Sequence, residues 1–120
     1  MKVVVAGGRD VTDPKLVAEA IEASGFEVTE LVSGGARGVD KLAEAWADAR
    51  GIEVSVWEAD WKAFGKAAGP MRNREMAEYG EALVLIPTGG PGSLSMLREW
   101  QKADPTRPTY IHPTPAGTKF

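Results

Sequence analysis

Short segments typical of β-strands alternate along the chain with longer segments in which apolar residues recur at helical spacing. The strand-like segments cover residues 2–6, 28–33, 52–57, 82–86 and 109–112, and the first is a continuous apolar run of the kind buried in parallel sheets. Helices are predicted over residues 14–24, 41–50, 70–79 and 94–102. This alternation predicts an α/β fold, a Rossmann-like parallel sheet of about five strands with helices on both faces.

One segment, residues 58–69, follows neither period and is predicted to be the longest irregular loop of the protein. Loops of this length frequently carry function. Two aromatic residues, Trp61 and Phe64, lie in it. They would either stack on a base or pack the loop against the fold, and packing is the more common fate of aromatic side chains.

Three glycine-rich segments directly follow predicted strands, at residues 7–10, 33–40 and 89–93. Parallel strands place their carboxyl ends at one edge of a sheet, so these segments are expected to line one rim. Glycine lets a chain turn tightly and lets a ligand approach the backbone, and free N–H groups at a helix start bind anions such as phosphate. The sequence therefore predicts a phosphate cradle at the carboxyl rim. The competing interpretation is that the three glycine-rich segments only let the chain turn from a strand into a helix and bind no ligand.

The candidate ligand-binding residues combine these glycines with polar and charged side chains on or beside the turns. Arginine matches phosphate oxygens bidentately, and Ser93 is predicted both to cap its helix and to donate to phosphate. Asp40 is predicted to cap a helix or to bind a ribose hydroxyl. The full set of candidates is Gly7, Gly8, Arg9, Ser33, Gly34, Gly35, Arg37, Gly38, Asp40, Asp60, Lys66, Arg72, Asn73, Gly89, Gly90, Gly92 and Ser93.

Composition excludes several kinds of chemistry. The chain has 120 residues, enough for one domain, which is assigned to residues 1–112 with a C-terminal tail over 113–120. It contains no cysteine and one histidine, which excludes cysteine nucleophiles and multi-histidine metal sites within this sequence. No glycine turn has the Walker A spacing, which excludes ATP hydrolysis of that type. No metal ligand is therefore assigned.

Charge and hydropathy bear on partners and location. The net charge of −3 argues against a nucleic-acid partner, because such binding depends on many phosphate contacts. No segment has the length of a membrane span, and the N-terminus lacks the pattern of a signal peptide. A cytoplasmic protein with no membrane partner is expected.

Five ordered motifs resemble the YspA-type, YpsA-related branch of the SLOG superfamily, which unites the DNA-processing protein DprA with the LONELY GUY nucleotide phosphoribohydrolases. The motifs lie at residues 7–10, 33–40, 59–61, 65–73 and 89–92. The resemblance spans nearly the whole chain. It implies a Rossmann-like sheet that binds nucleotides or nucleotide-derived ligands, and it implies a homo-oligomer.

The resemblance to the LONELY GUY enzymes breaks at their catalytic glutamate. Those enzymes carry Pro-Gly-Gly-x-Gly-Thr-x-x-Glu, and Met96 stands here where the glutamate would be, whereas Arg72 matches their arginine. No catalytic residue is therefore assigned, and binding is favoured over catalysis.

The expected function is binding of a nucleotide-derived ligand, ADP-ribose-like or another nucleoside phosphate, by a sensor or ligand-sequestering module. No cofactor is assigned beyond Mg²⁺ that would accompany a nucleotide. One alternative is a nucleotide N-glycosidase or phosphoribohydrolase in which Glu58 or Asp60 replaces the missing carboxylate. The second alternative is single-stranded DNA binding as in DprA, supported by the matching Arg72-Asn73-Arg74 stretch and opposed by the net negative charge.

Overall fold

A computed structural model describes residues 1–87 and 91–113 of the protein, with Pro91 described by its backbone alone. Five parallel strands form one sheet in the order β3-β2-β1-β4-β5. The strands are β1 (Lys2–Gly7), β2 (Glu30–Ser33), β3 (Glu53–Val56), β4 (Ala82–Ile86) and β5 (Thr109–Ile111). The helices are α1 (Pro14–Ser24), α2 (Val39–Ala49), α3 (Trp61–Phe64), α4 (Ala68–Tyr79) and α5 (Pro91–Ala103), with a 3₁₀ turn over Gly65–Ala67.

Helices cover both faces of the sheet, as the alternation of elements predicts. Successive residues of β1 point to opposite faces. Val3 and Val5 pack with residues of α1 and α2, whereas Val4 packs with Met76 of α4 and Trp100 of α5. The predicted α/β, Rossmann-like architecture is therefore confirmed.

The prediction of an irregular loop over residues 58–69 is wrong, because most of this segment is helical. Asp60 caps α3 by accepting a hydrogen bond from the Ala63 N–H at 3.1 Å, and α4 begins at Ala68 rather than at Pro70. Pro70 is tolerated there because the first turn of a helix does not need its N–H. The helical period was hidden because α3 and the 3₁₀ turn bury no side chain.

Two other helices begin earlier than predicted. α2 begins at Val39 with Asp40 as its second residue, and α5 begins at Pro91 rather than at residue 94. Neither Asp40 nor Ser93 therefore caps its helix: Gly38 is the N-cap of α2, and Ser93 is the third residue of α5. The predicted tail lies outside the described residues beyond Pro113.

The strand order creates one point where the direction of winding reverses, between β1 and β4. Chain connections diverge from these two neighbouring strands, which leaves a crevice beyond their carboxyl ends. The crevice therefore opens beside the segment that follows Gly7. None of the helices in the described parts of the chain has the length and hydropathy that a membrane-spanning segment needs.

Candidate functional site

A pocket of about 420 Å³ opens at the carboxyl end of β1, and its volume lies in the range of small-molecule sites. We call it the main pocket. Residues from five parts of the chain line it: the end of β1 with the turn after it, the turn before α2 with Asp40, Trp61 of α3, the start of α4 and the start of α5. A second, more open cavity of about 540 Å³, the outer depression, shares with it Arg9, Ala36, Arg37, Trp61 and Arg72.

Arg72 connects α4 to the glycine turn before α2. Its Nη1 donates to the Gly34 carbonyl at 2.6 Å, and its Nε donates to Asn73 Oδ1 at 2.9 Å. Burial lowers the pKa of Arg72, an effect that the neighbouring carboxylate of Asp40 opposes. The guanidinium is thus held in one position on the wall of both cavities, as a preorganised anion site requires.

Asp40 is a buried carboxyl on the wall of the main pocket, with 7% of its surface exposed. Its Oδ2 accepts a hydrogen bond from the Ala36 N–H at 3.1 Å. Burial raises the pKa of Asp40 from 3.8 to about 6, and the Ala36 hydrogen bond and the charge of Arg72 limit that rise. The Ala36 N–H is consequently engaged within the protein.

Ser33 lies behind the pocket rather than on its wall. It is fully buried, and its Oγ donates to Glu44 Oε2 at 2.7 Å and accepts from the Gly35 N–H at 3.1 Å. The Gly35 N–H is therefore also engaged within the protein. Two of the turn amides that the sequence offers to phosphate thus hold the turn in shape instead.

The start of α5 contributes a buried hydroxyl that has no hydrogen-bond partner among the described residues. Ser93 has 2% of its surface exposed and lines the main pocket, and its Oγ makes no hydrogen bond within the described residues. The neighbouring Ser95 accepts a hydrogen bond from Asn73 Nδ2 at 3.1 Å. Buried hydroxyls are normally hydrogen-bonded, so Ser93 is a candidate ligand contact.

The structure brings most of the other candidates to the same place. The outer depression is lined by Gly34 and Gly35. The main pocket is lined by six more of the candidates: Gly7, Gly8, Arg9, Arg37, Asn73 and Gly92. Gly38 packs behind them against Gly8.

Two candidates stand apart from both cavities, because the exposed side chains of Asp60 and Lys66 lie on neither wall. The carboxylate of Asp60 caps α3 instead. Gly89 and Gly90 lie outside the described residues.

Several residues that line the main pocket were not predicted from the sequence as ligand contacts. Gly69 and Met76 of α4 and Ser95 of α5 lie on the wall of the main pocket. Met76 follows Asn73 by three residues, so the two share one helix face. The predicted helix over residues 70–79 already contains both residues, so this spacing was the signal that could have identified Met76.

The fold and the pocket define a Rossmann-like α/β protein with a ligand-sized cavity at the topological switch point of its sheet. A model of the YspA, cpYpsA-related SLOG family (YAcAr) matches residues 1–64. Since the match covers more than half of the chain, the protein belongs to this family. The matched residues include the first two glycine turns and Trp61.

Two comparisons add a relative and a fold neighbour. The chain is 34% identical over 113 residues to the Gene 61 protein of Mycobacterium phage D29, a match that covers 85% of this chain and 90% of that protein. The structure of the present protein is similar to that of DNA processing protein A (DprA) from Streptococcus pneumoniae, with a TM-score of 0.74 and 21% identity. That likeness shows the fold. The superposition covers 97% of this chain and 51% of the DprA chain, so the present protein spans about half the length of DprA.

Proposed function

We propose that the protein binds a nucleotide or nucleotide-derived ligand, ADP-ribose-like or another nucleoside phosphate, in the main pocket and acts as a sensor or ligand-sequestering module. The observation that carries this proposal is the convergence of three arginines, Arg9, Arg37 and Arg72, on one ligand-sized cavity. Ser93, whose hydroxyl has no partner within the described part of the chain, lines the same cavity. Membership of the SLOG family supports the same ligand class.

The arginines supply the charge that a phosphate needs. Arg72 is already oriented by its bond to the Gly34 carbonyl. The side chain of Arg37 is about three-quarters exposed and lies 3.8 Å from Asp10, itself almost fully exposed. Such surface pairs contribute little energy, so Arg37 can exchange this partner for a phosphate at small cost.

The start of α5 supplies a second set of anion contacts. α5 has 13 residues, Pro91–Ala103, and the positive end of a helix dipole attracts anions at its first turn. Ser93 lies in that turn and lines the main pocket, and its hydroxyl is buried there. A phosphate there would receive a hydrogen bond from a group that has no partner among the described residues.

Turnover is not part of the proposal, because the main pocket presents an apolar surface where the LONELY GUY enzymes resembled by the sequence carry a glutamate. Met96 is buried and lies on that wall. Glu58 lines only the outer depression, and Asp60 lines neither cavity. Release of free base from a nucleoside monophosphate by the wild-type protein would contradict binding without turnover and favour the N-glycosidase alternative.

Nucleotides are expected to raise the melting temperature of the purified protein. A screen would compare nucleoside mono-, di- and triphosphates, NAD, ADP-ribose and cyclic nucleotides, with and without Mg²⁺. A ligand at about a hundred times its Kd adds roughly 2.7 kcal/mol of stability, which shifts the melting temperature of a domain of this size by several degrees. Arg37→Ala should weaken binding about tenfold or more through the loss of a charge-assisted hydrogen bond.

The matched control is Arg74→Ala, which removes an exposed arginine of α4 that pairs with Glu99 at 3.6 Å and lies on neither cavity. It should leave binding unchanged. Absence of a shift with every nucleotide would reject the proposal. A shift with a single-stranded oligonucleotide alone, weakening steeply with salt, would favour the DNA-binding alternative.

Replacing Ser93 by alanine is expected to separate binding from stability. The change removes a buried hydroxyl that has no partner within the described residues, so the free energy of unfolding should fall by less than about 1 kcal/mol. Nucleotide affinity should fall about tenfold, measured by titration calorimetry. Ser95→Ala, at a second serine of α5 on the same wall, should instead reduce stability, because it removes the acceptor for Asn73. Unchanged affinity in Ser93→Ala would show that the Ser93 hydroxyl does not contact the ligand.

A further inference from the structure

We propose that the indole of Trp61 is the surface on which the base of the ligand stacks, so that the site selects nucleotides over phosphorylated sugars. This inference rests on the proposed function and adds to it that the base is the part of the ligand that the site recognises. Trp61 lies on the wall of both the main pocket and the outer depression, and 51% of its surface is exposed.

Trp61 contributes little to the core of the protein. None of the residues of α3 is buried, and Trp61 is absent from the two clusters of apolar side chains that pack on the faces of the sheet. A half-exposed tryptophan on the wall of a concave site offers a large, flat, apolar surface to a ligand. Every nucleobase has a π-face that such a surface can bind.

The position of the indole is nevertheless well defined. The Asp60 side chain caps α3 through Ala63, and the Gly65 N–H donates to the Trp61 carbonyl at the other end of that helix. One edge of the ring meets α4 at Gly69, where an added Cβ would lie 3.1 Å from Trp61 Cη2. Glycine at this position therefore admits the ring edge, and the exposed half of the indole stays available to the cavities.

The neighbours of Trp61 suit the rest of a nucleotide. Arg9, Arg37 and Arg72 line the same two cavities. A base stacked on the indole would therefore leave its phosphates within reach of guanidinium groups. A phosphorylated sugar without a base would use only the arginines and forgo the contact with Trp61.

α3 also provides a matched control. Phe64 has the same exposed fraction as Trp61, 51%, and lies in the same short helix, but it lines neither of the two described cavities. Removing its ring deletes an exposed aromatic side chain of α3 without touching the site. Any general effect of disturbing α3 should therefore appear in both variants.

The test is calorimetric titration of the wild type, Trp61→Leu, Trp61→Phe and Phe64→Leu with AMP, GMP, CMP, UMP and ribose 5-phosphate. The wild type should bind the tightest of the four nucleotides at least tenfold more tightly than ribose 5-phosphate, and Trp61→Leu should abolish that difference by weakening nucleotide binding alone. Trp61→Phe should restore most of it, and Phe64→Leu should behave as the wild type.

The outcomes distinguish this inference from the proposed function. If a nucleotide binds and Trp61→Leu leaves its affinity unchanged, the stacking inference is wrong and the nucleotide site stands. Equal affinity of the wild type for ribose 5-phosphate and for every nucleotide would likewise overturn the inference. If neither these four nucleotides nor ribose 5-phosphate bind, and no nucleotide of the melting-temperature screen binds either, the proposed function fails together with the inference.

Discussion

Gly38→Ala is expected to lower the free energy of unfolding by roughly 3 kcal/mol or more. Gly38 has φ 80° and ψ −128°, a backbone conformation that residues with a Cβ adopt at a cost of order 1–3 kcal/mol. An added Cβ would also overlap the Gly8 carbonyl oxygen and lie 2.7 Å from Arg9 Cα. Because both obstacles are backbone atoms, neither can move aside as the end of a flexible side chain would.

The site should be disturbed together with the fold, because Gly38 is where the two glycine turns touch. The Val39 N–H donates to the Gly8 carbonyl at 3.1 Å, which holds the turn after β1 against the start of α2. Natural domains have a free energy of unfolding of about 5–15 kcal/mol. A loss of this size would therefore remove a large share of the stability and shift the melting temperature by roughly 10 °C.

Gly51→Ala is the control for backbone conformation alone. Gly51 also has a positive φ, 66°, but nothing lies within 4 Å of an added Cβ. The control should cost about 1 kcal/mol, the ordinary penalty for a left-handed L-residue. Urea denaturation of both variants measures the difference. Equal losses would contradict close packing between the two glycine turns.

The central strands of the fold could be predicted from the sequence because their burial leaves a continuous apolar pattern. β1 and β4 are buried along nearly their whole length, and only a strand covered on both faces needs such a run. The segment around α3 could not be predicted in the same way. Its helix is stabilised by the Asp60 cap and by contact with Gly69 rather than by a buried apolar stripe, so no helical period appears in the sequence.

The convergence of the candidate residues at one rim could be predicted from the sequence, but the hydrogen-bond partners of each polar residue could not. Glycine turns after parallel strands meet at one rim whatever their detailed geometry. By contrast, Ser33 turns inward to Glu44 and the Gly35 N–H, and Asp40 turns back to the Ala36 N–H. These local bonds depend on the backbone path of the turn. The sequence shows that a hydroxyl and a carboxyl are present, but not whether they face the ligand or the chain.

Asp40→Asn is expected to change how stability depends on pH. Burial raises the pKa of the folded carboxyl from 3.8 to about 6, with Glu44 adding to the rise and the Ala36 N–H, Arg72 and Arg9 opposing it. Since the folded pKa lies above the unfolded one, the stabilisation from this proton is complete below pH 3.8 and is lost as the pH rises through about 6. The linkage predicts a loss of about 2 kcal/mol between about pH 4.5 and 7.5 in the wild type.

The asparagine variant lacks this titration and can still accept the Ala36 hydrogen bond. The free energy of unfolding of the wild type minus that of Asp40→Asn should therefore fall by about 2 kcal/mol from about pH 4.5 to 7.5, measured by urea denaturation at both values. Asp48→Asn, which removes an exposed carboxyl of α2, controls for the loss of one negative charge. A constant difference between wild type and Asp40→Asn would show that burial does not penalise this carboxylate.

Because Asp40 lies on the pocket wall and interacts with Arg72, the same proton that stabilises the fold also removes a negative charge from the proposed anion site.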